Sequence, residues 1–333
     1  MRAAWSSPTT RIDASEGVIS DPGTGQDRYR VAMYALRTSP SPLAIAAFTF
    51  DPDEPGSVVI VPEAGHALPA ARAVPRGRVV DDGKAEWDLS FARSTEALAS
   101  GAVEKLVLAR RVTCRFDGEV DPVRVWQNLV AQNPGTYCFL VDGFTGASPE
   151  LLIRVEGPTV ESLALAGTGV TDYDLAGELI DTEHRLAADS VAEALAPHVE
   201  GLVSERGIHR FGGLAHVGTR FTGELRDGVT VLDLLAAVHP TAAVAGTPRD
   251  EALRMIREIE GPRGLYSGPV GWFDREGNGE FAIALRCGTI EGDTAVLHAG
   301  GGLVAGADRD REWRETDLKL QPMWDAPYYQ GSG

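Results

Sequence analysis

The apolar residues of this chain fall in short runs, among them LAIAAFTF, SVVIVPE, EKLVLARR, YCFLVD and LLIRVEG, each ended by Gly, Pro or charged residues. Runs of this length bounded by turn formers read as strands, which limits the chain to architectures built on sheets. RVAMYALR, ESLALAG, HRFGGLAHVGTRFTGEL, GPVGWFD, EFAIALRCGTI and TAVLHAG read the same way, with GFTGASPE as a turn between two strands. Helical spacing interrupts the series in SFARSTEALASG, which stops at Gly101, and in DPVRVWQNLVAQN, which Asp121 caps and Pro122 opens. EHRLAADSVAEALAPHV, TVLDLLAAV, RDEALRMIREIE and RDREWRETDLKLQPM supply further helices. The mixture has no regular βαβ rhythm and no repeat of roughly 20–50 residues, which predicts an α+β fold with helices covering sheets.

At 333 residues the chain can hold two domains or one large one. Residues 1–28 mix Ser, Pro, Gly, Asp and Thr without periodicity and are expected to be loose; 29–327 carry the folded unit and 328–333 a tail. With 48 acidic against 31 basic residues the net charge is -17, a field that repels polyanions, so nucleic acid is excluded as a partner. MRAAWSSPTTR lacks the apolar run of a secretory signal, and PLAIAAF and VTVLDLLAAV fall well short of the ~20 residues that span a bilayer. No membrane association and a cytoplasmic location are expected. Cys114, Cys138 and Cys287 stand far apart with neither a CxxC pair nor a neighbouring His, and read as core thiols.

Several polar residues stand out against this background. Glu150 follows Pro149 between two apolar strands, where partial desolvation would raise its pKa into the range of a general acid, unless it is a solvated turn residue. The chain has only three lysines, Lys84, Lys105 and Lys319. Lys105 opens the apolar run KLVLA, where it is either a desolvated base or a strand-end lysine reaching water. Glu183 and His184 open a helix, where an acid offsets the helix dipole. Glu312, Glu315 and Lys319 share one face of the last helix, either as an i,i+4 ion pair or with Glu315 meeting Glu183 to hold Mg²⁺. The glycines of HAGGGLV miss the GxGxxG spacing of a dinucleotide loop but let backbone N–H groups approach an anion. Arg286, inside the apolar AIALRC, requires a carboxylate from the protein or from a ligand.

Read in order, EKLVLARR, GASPELLIR, LALAGTG, TEHR, HPTAAVAG, RGLYSGPVGWFD, AIALRC, HAGGGLV and EWRETDLKLQPM resemble the motifs of the chorismate-utilising enzymes. That family includes isochorismate synthases, salicylate synthases and the synthase subunits for anthranilate and aminodeoxychorismate. The resemblance implies a single catalytic domain of two antiparallel sheets packed with helices, dependence on Mg²⁺, chorismate as the small-molecule substrate, and a monomer. It implies Lys105 as the base that activates water and Glu150 as the acid that protonates the departing hydroxyl. Glu183 and Glu315, supported by Glu312, would bind the metal. Arg286, Tyr266, Lys319, Thr241, Ala243, Gly167, Thr168 and Gly300, Gly301 and Gly302 would hold the substrate. HPTAAV and EWRET are similar to the isochorismate synthase pattern; ammonia-using members and salicylate synthases usually begin the former motif with Phe-Pro. Two stretches depart from the family: ELIDTEHR is shortened, and AGGG stands where AGAG is usual.

Overall fold

The computed structural model describes residues 2–14, 17–63, 71–169, 171, 175, 177–211 and 213–326. The chain begins with β1 (Ala3–Ser6), β2 (Arg11–Ala14), β3 (Gly17–Ser20), α1 (Asp27–Arg37), β4 (Leu43–Ala47) and β5 (Val58–Pro62). Next come β6 (Gly77–Asp81), α2 (Lys84–Ala99), β7 (Lys105–Phe116), α3 (Pro122–Gln132), β8 (Tyr137–Val141), β9 (Phe144–Ser148) and β10 (Leu151–Glu156). They are followed by β11 (Thr159–Gly169), α4 (Glu178–Leu195), β12 (Val199–Phe211), β13 (Leu214–Leu225), α5 (Val231–Val238) and β14 (Gly246–Thr247). The chain continues through α6 (Arg249–Ile259), β15 (Pro269–Asp274), β16 (Gly279–Ile283), β17 (Cys287–Glu291), β18 (Thr294–Val304) and α7 (Arg309–Asp325).

These strands form two sheets of nine, with antiparallel pairing throughout, the α+β arrangement expected. The first runs β14-β7-β18-β17-β9-β8-β1-β2, with β6 also against β7; the second runs β12-β13-β11-β10-β16-β15-β4-β5-β3. Between the sheets lie Trp5, Ile45, Phe139, Leu151, Leu163 and Val270. On the outer face of the first sheet, Val112, Cys138 and Leu297 pack under Trp126 and Leu129 of α3 and Leu320 and Met323 of α7. Helices α1, α4 and α5 cover the second sheet, burying Ala44, Ala46, Phe273 and Phe281. A sheet covered on both faces needs apolar residues at every position, so its strands read as unbroken runs without a period of two. All three cysteines are free and buried. Among the described residues no helix is long and apolar enough to cross a membrane.

The structure corrects several expectations. Within 1–28, expected to be loose, residues 3–6, 11–14 and 17–20 form β1, β2 and β3: β1 lies between β8 and β2 with Ala3, Ala4 and Trp5 fully buried, and β3 pairs with β5; four residues are too few to display a pattern. RVAMYALR is helical in α1: the buried Tyr29, Ala32, Met33 and Leu36 follow the i, i+3, i+4, i+7 spacing that its apolar content obscured. Phe144–Ser148 of the expected turn is strand β9. HRFGGLAHVGTRFTGEL belongs to two strands, β12 ending at Phe211 and β13 beginning at Leu214. Residues 327–333, and with them the expected tail, lie outside the described residues.

Candidate active site

Glu150 and Arg286 lie at two of the places where the chain passes directly from one sheet to the other. β9 of the first sheet leads through Pro149 and Glu150 into β10 of the second, and β16 of the second leads through 284–286 into β17 of the first. The crossings hold each other: the Ile283 amide donates to the Glu150 carbonyl at 3.1 Å, and the Ala147 amide to the Arg286 carbonyl at 3.2 Å. Arg286 therefore lies at a sheet crossing rather than inside a strand, with φ at 48°; Ser267 beside it has φ at 62°. Non-glycine residues in this left-handed region are costly, and such strain concentrates where a side chain has to be aimed.

The floor beside the crossings is the pairing of β18 with β7, in which Gly300, Gly301 and Gly302 lie opposite Ala109, Leu108 and Val107. The glycines are thus strand residues rather than a loop, and their missing side chains leave room for others. A Cβ on Gly300 would sit 2.7 Å from the Tyr266 hydroxyl, and one on Gly301 would sit 3.0 Å from Glu312 Oε2. One on Gly302 would collide with Glu183 Oε1 and lie 2.7 Å from Lys105 Cε. The glycine that departs from AGAG, Gly301, is the one facing Glu312.

An open cleft of about 640 Å³, mouth included, is lined by Glu150, Gly167, Thr168, Glu183, Ala243, Tyr266, Arg286, Gly300, Gly301, Gly302 and Lys319. That volume suits a small organic ligand. Lys105, Glu312 and Glu315 are placed behind this lining. Thr241 does not reach it either: the Thr241 carbonyl accepts from the Val244 and Ala245 amides, closing the turn that presents Ala243. Glu183 falls in the second turn of α4, because the helix begins at Glu178 and not at Glu183.

The charges form a connected group. Lys105, fully buried, holds Nζ 3.2 Å from Glu183 Oε1, off the line of a hydrogen bond, so no acceptor is aligned with its protons. Lys319 Nζ lies 2.6 Å from Glu315 Oε1 and donates to the Gly300 carbonyl at 2.8 Å. Burial opposes the charge on Lys319, but the carboxylate of Glu315 outweighs it and raises the pKa. Glu150, buried, is pushed up to about 7 by desolvation, although the Leu165 amide donates to its Oε1 at 3.1 Å and Lys105 and Lys319 pull the other way. Glu312 is raised by burial and then by Glu315.

Arg286 has no carboxylate partner among the described residues; its Nη2 donates to His216 Nε2 at 2.7 Å. His216 must then carry its proton on Nδ1, which donates to the Gly167 carbonyl at 2.8 Å. Burial, then Arg286, holds the His216 pKa down to about 3, so the imidazole is neutral and leaves the guanidinium charge unspent. His216 was not singled out in the sequence; its signal was a polar side chain alternating with apolar ones in LAHVG, on the face that β13 turns toward Gly167. Ser267, also in the lining, carries no such signal.

Three carboxylates, Glu183, Glu312 and Glu315, influence one another here, and oxygen donors of this kind suit a hard divalent cation. In the present rotamers Glu183 pairs with Lys105 and Glu315 with Lys319, and among the described residues no three His, Cys, Asp or Glu groups converge on one point. The donor set fits such a cation by its chemistry, through rotation of flexible side chains.

The family profile described as chorismate binding enzyme matches residues 65–326. Isochorismate synthase MenF of Bacillus subtilis is 35% identical over 261 residues, covering 73% of this chain and 55% of that protein, so the chain spans about half of that relative. Isochorismate synthase EntC of Escherichia coli K12 is 32% identical over 315 residues, covering 85% of this chain and 80% of EntC. The solved structure of DhbC from Bacillus anthracis superposes with a TM-score of 0.87 at 28% identity, covering 98% of this chain and 96% of that one.

Proposed function

This chain belongs to the chorismate binding enzymes, and on that premise we propose that it is an isochorismate synthase. Water adds at C2 of chorismate as the C4 hydroxyl leaves and the ring double bonds shift. The observation that carries this reading is a buried carboxyl, Glu150, pushed up to about 7 by desolvation, in the same cleft as a guanidinium, Arg286, that forms no ion pair with a carboxylate among the described residues. HPTAAV and EWRET favour hydroxyl exchange over the ammonia-using and pyruvate-releasing branches.

Each residue then has a task. Arg286, its charge preserved by neutral His216, grips a substrate carboxylate. Glu150 gives its proton to the departing C4 hydroxyl, which leaves as water, and Lys105 Nζ is the base that takes a proton from the attacking water. The two transfers balance, so product and substrate are isomers. Tyr266, Ala243 and the glycine strand fix the ring between these groups. Glu183, Glu312 and Glu315 would hold Mg²⁺, which when bound supplies charge stabilisation at the ring carboxylate. The reading keeps the protein cytoplasmic and monomeric.

Incubation with chorismate, with and without Mg²⁺, followed by chromatography and mass detection tests it. A Mg²⁺-dependent peak isobaric with chorismate is expected. Salicylate with pyruvate would move the protein to the lyase branch, and unchanged chorismate would overturn the proposal. Gly302→Ala should lower turnover by about 10²-fold, because its Cβ displaces Glu183 and Lys105 together. The melting temperature should fall as well, because Lys105 is fully buried and loses its ion-pair partner when Glu183 is pushed aside; a calorimetric scan beside the rate assay checks both.

A further inference from the structure

A second cavity, about 730 Å³ with its mouth, lies on the other side of Tyr266 from the cleft. It exists because β7 lacks a strand neighbour along part of one edge. β14 pairs with Lys105 and Leu106, β6 begins again at Thr113, and between them the side chains of Glu260 and Arg263 stand in. Glu260 accepts from the Ala109 amide at 2.8 Å and Arg263 donates to the Val107 carbonyl at 2.7 Å. Beyond that patch the gap stays open, walled by Trp87 and Ser90 of α2, Arg111 of β7 and His298 of β18.

The polar groups of this cavity divide sharply. Arg110 is committed to Asp317 and Thr316, and Arg263 to Glu260 and two backbone carbonyls. Ser90 and the His298 ring, by contrast, have no hydrogen-bond partner among the described residues. Arg111 is half-exposed at the rim, and its nearest carboxylate, Glu86, is 3.8 Å away, beyond hydrogen-bond reach. Burial, with Arg111 and Arg263, holds His298 neutral at a pKa of about 3, so its ring offers one donor and one acceptor. Its face is already taken: His298 stacks on Tyr266 with centroids 5.0 Å apart and planes 14° from parallel.

We propose that this cavity is a second ligand site for a small planar carboxylate, and that its occupancy is felt in the catalytic cleft through the stacked Tyr266 and His298 rings. The carboxylate meets Arg111, the flat ring lies along Trp87, and a ring substituent reaches Ser90 or His298. Tyr266 transmits the event because it lines both cavities and its hydroxyl rests against Gly300. The binding half of this proposal needs no turnover, so it fails or stands separately from isochorismate synthesis.

Calorimetric titration with benzoate, in wild type, Arg111→Glu and Arg286→Ala, is the test. Arg111→Glu should weaken benzoate by about tenfold or more, and Arg286→Ala should leave it within about twofold. Benzoate should also shift KM for chorismate in wild type and leave it unmoved in Arg111→Glu, whose own turnover is unchanged. Loss of the benzoate heat in Arg286→Ala but not in Arg111→Glu would assign benzoate to the catalytic cleft and overturn the proposal. So would absence of any heat, or inorganic phosphate binding as tightly as benzoate.

Discussion

Glu150→Gln is expected to lower kcat by about 10²–10⁴-fold and at the same time to stabilise the fold above neutral pH. The first effect follows from removing the proton donor; the second follows from the same burial that makes Glu150 a donor. Its pKa rises from 4.5 in the unfolded chain to about 7 in the folded one, so between those values the folded state holds a proton the unfolded state has lost. Stability from this group is therefore intact below about 4.5, falls as pH rises toward 7, and above 7 carries the full penalty, on the order of 3 kcal/mol. Glutamine keeps an oxygen for the Leu165 amide and never ionises. Denaturant melts at pH 5 and pH 8 should show the variant's advantage only at the higher value, and wild-type turnover should decline above pH 7. A variant that kept its kcat would remove Glu150 from the acid's role.

Lys105→Ala is expected to abolish isochorismate formation to a comparable degree while chorismate still binds within about threefold of wild type. Lys105 stands behind the cleft lining, so its loss removes few substrate contacts, but it removes the amine beneath Gly302 and leaves Glu183 without its ion-pair partner. The truncated side chain also leaves a space next to the reacting groups. Ethylamine should partly restore turnover by occupying it, a response that a purely structural lysine would not give. Full activity in the variant would end the assignment of Lys105 as base.

The sequence pointed to most of this site through residues out of character with their surroundings. Lys105 was one of three lysines, Arg286 a charge among apolar neighbours, and Glu150 a carboxyl between two apolar runs. What it did not reveal was their common cause, that Glu150 and Arg286 mark two crossings between the sheets; a crossing depends on which sheet each strand joins, and that is a long-range property. The same limit hid β1 and β9: each has a hairpin neighbour, β2 and β8, but its second partner, β8 for β1 and β17 for β9, is distant in sequence, and four or five largely buried residues show no period. The signal of His216 in LAHVG was too weak to single it out, because its importance lies in what it accepts from and donates to, Arg286 and Gly167, neither of them near it in sequence. The helix α1 is legible in the spacing of Tyr29, Ala32, Met33 and Leu36, which the apolar content of RVAMYALR masks.

The pairing of β7 with β18 joins Lys105 to Val304 along the chain. A contact between positions so far apart must overcome a large loop-closure entropy before it stabilises anything, and it cannot begin until the later strand exists. On the ribosome, β7 is therefore made long before its partner, and its edge stays unpaired while most of the chain is synthesised. The site is complete only when β18 and α7 have emerged, and until then the unpaired edge of β7 is open to pairing with another chain.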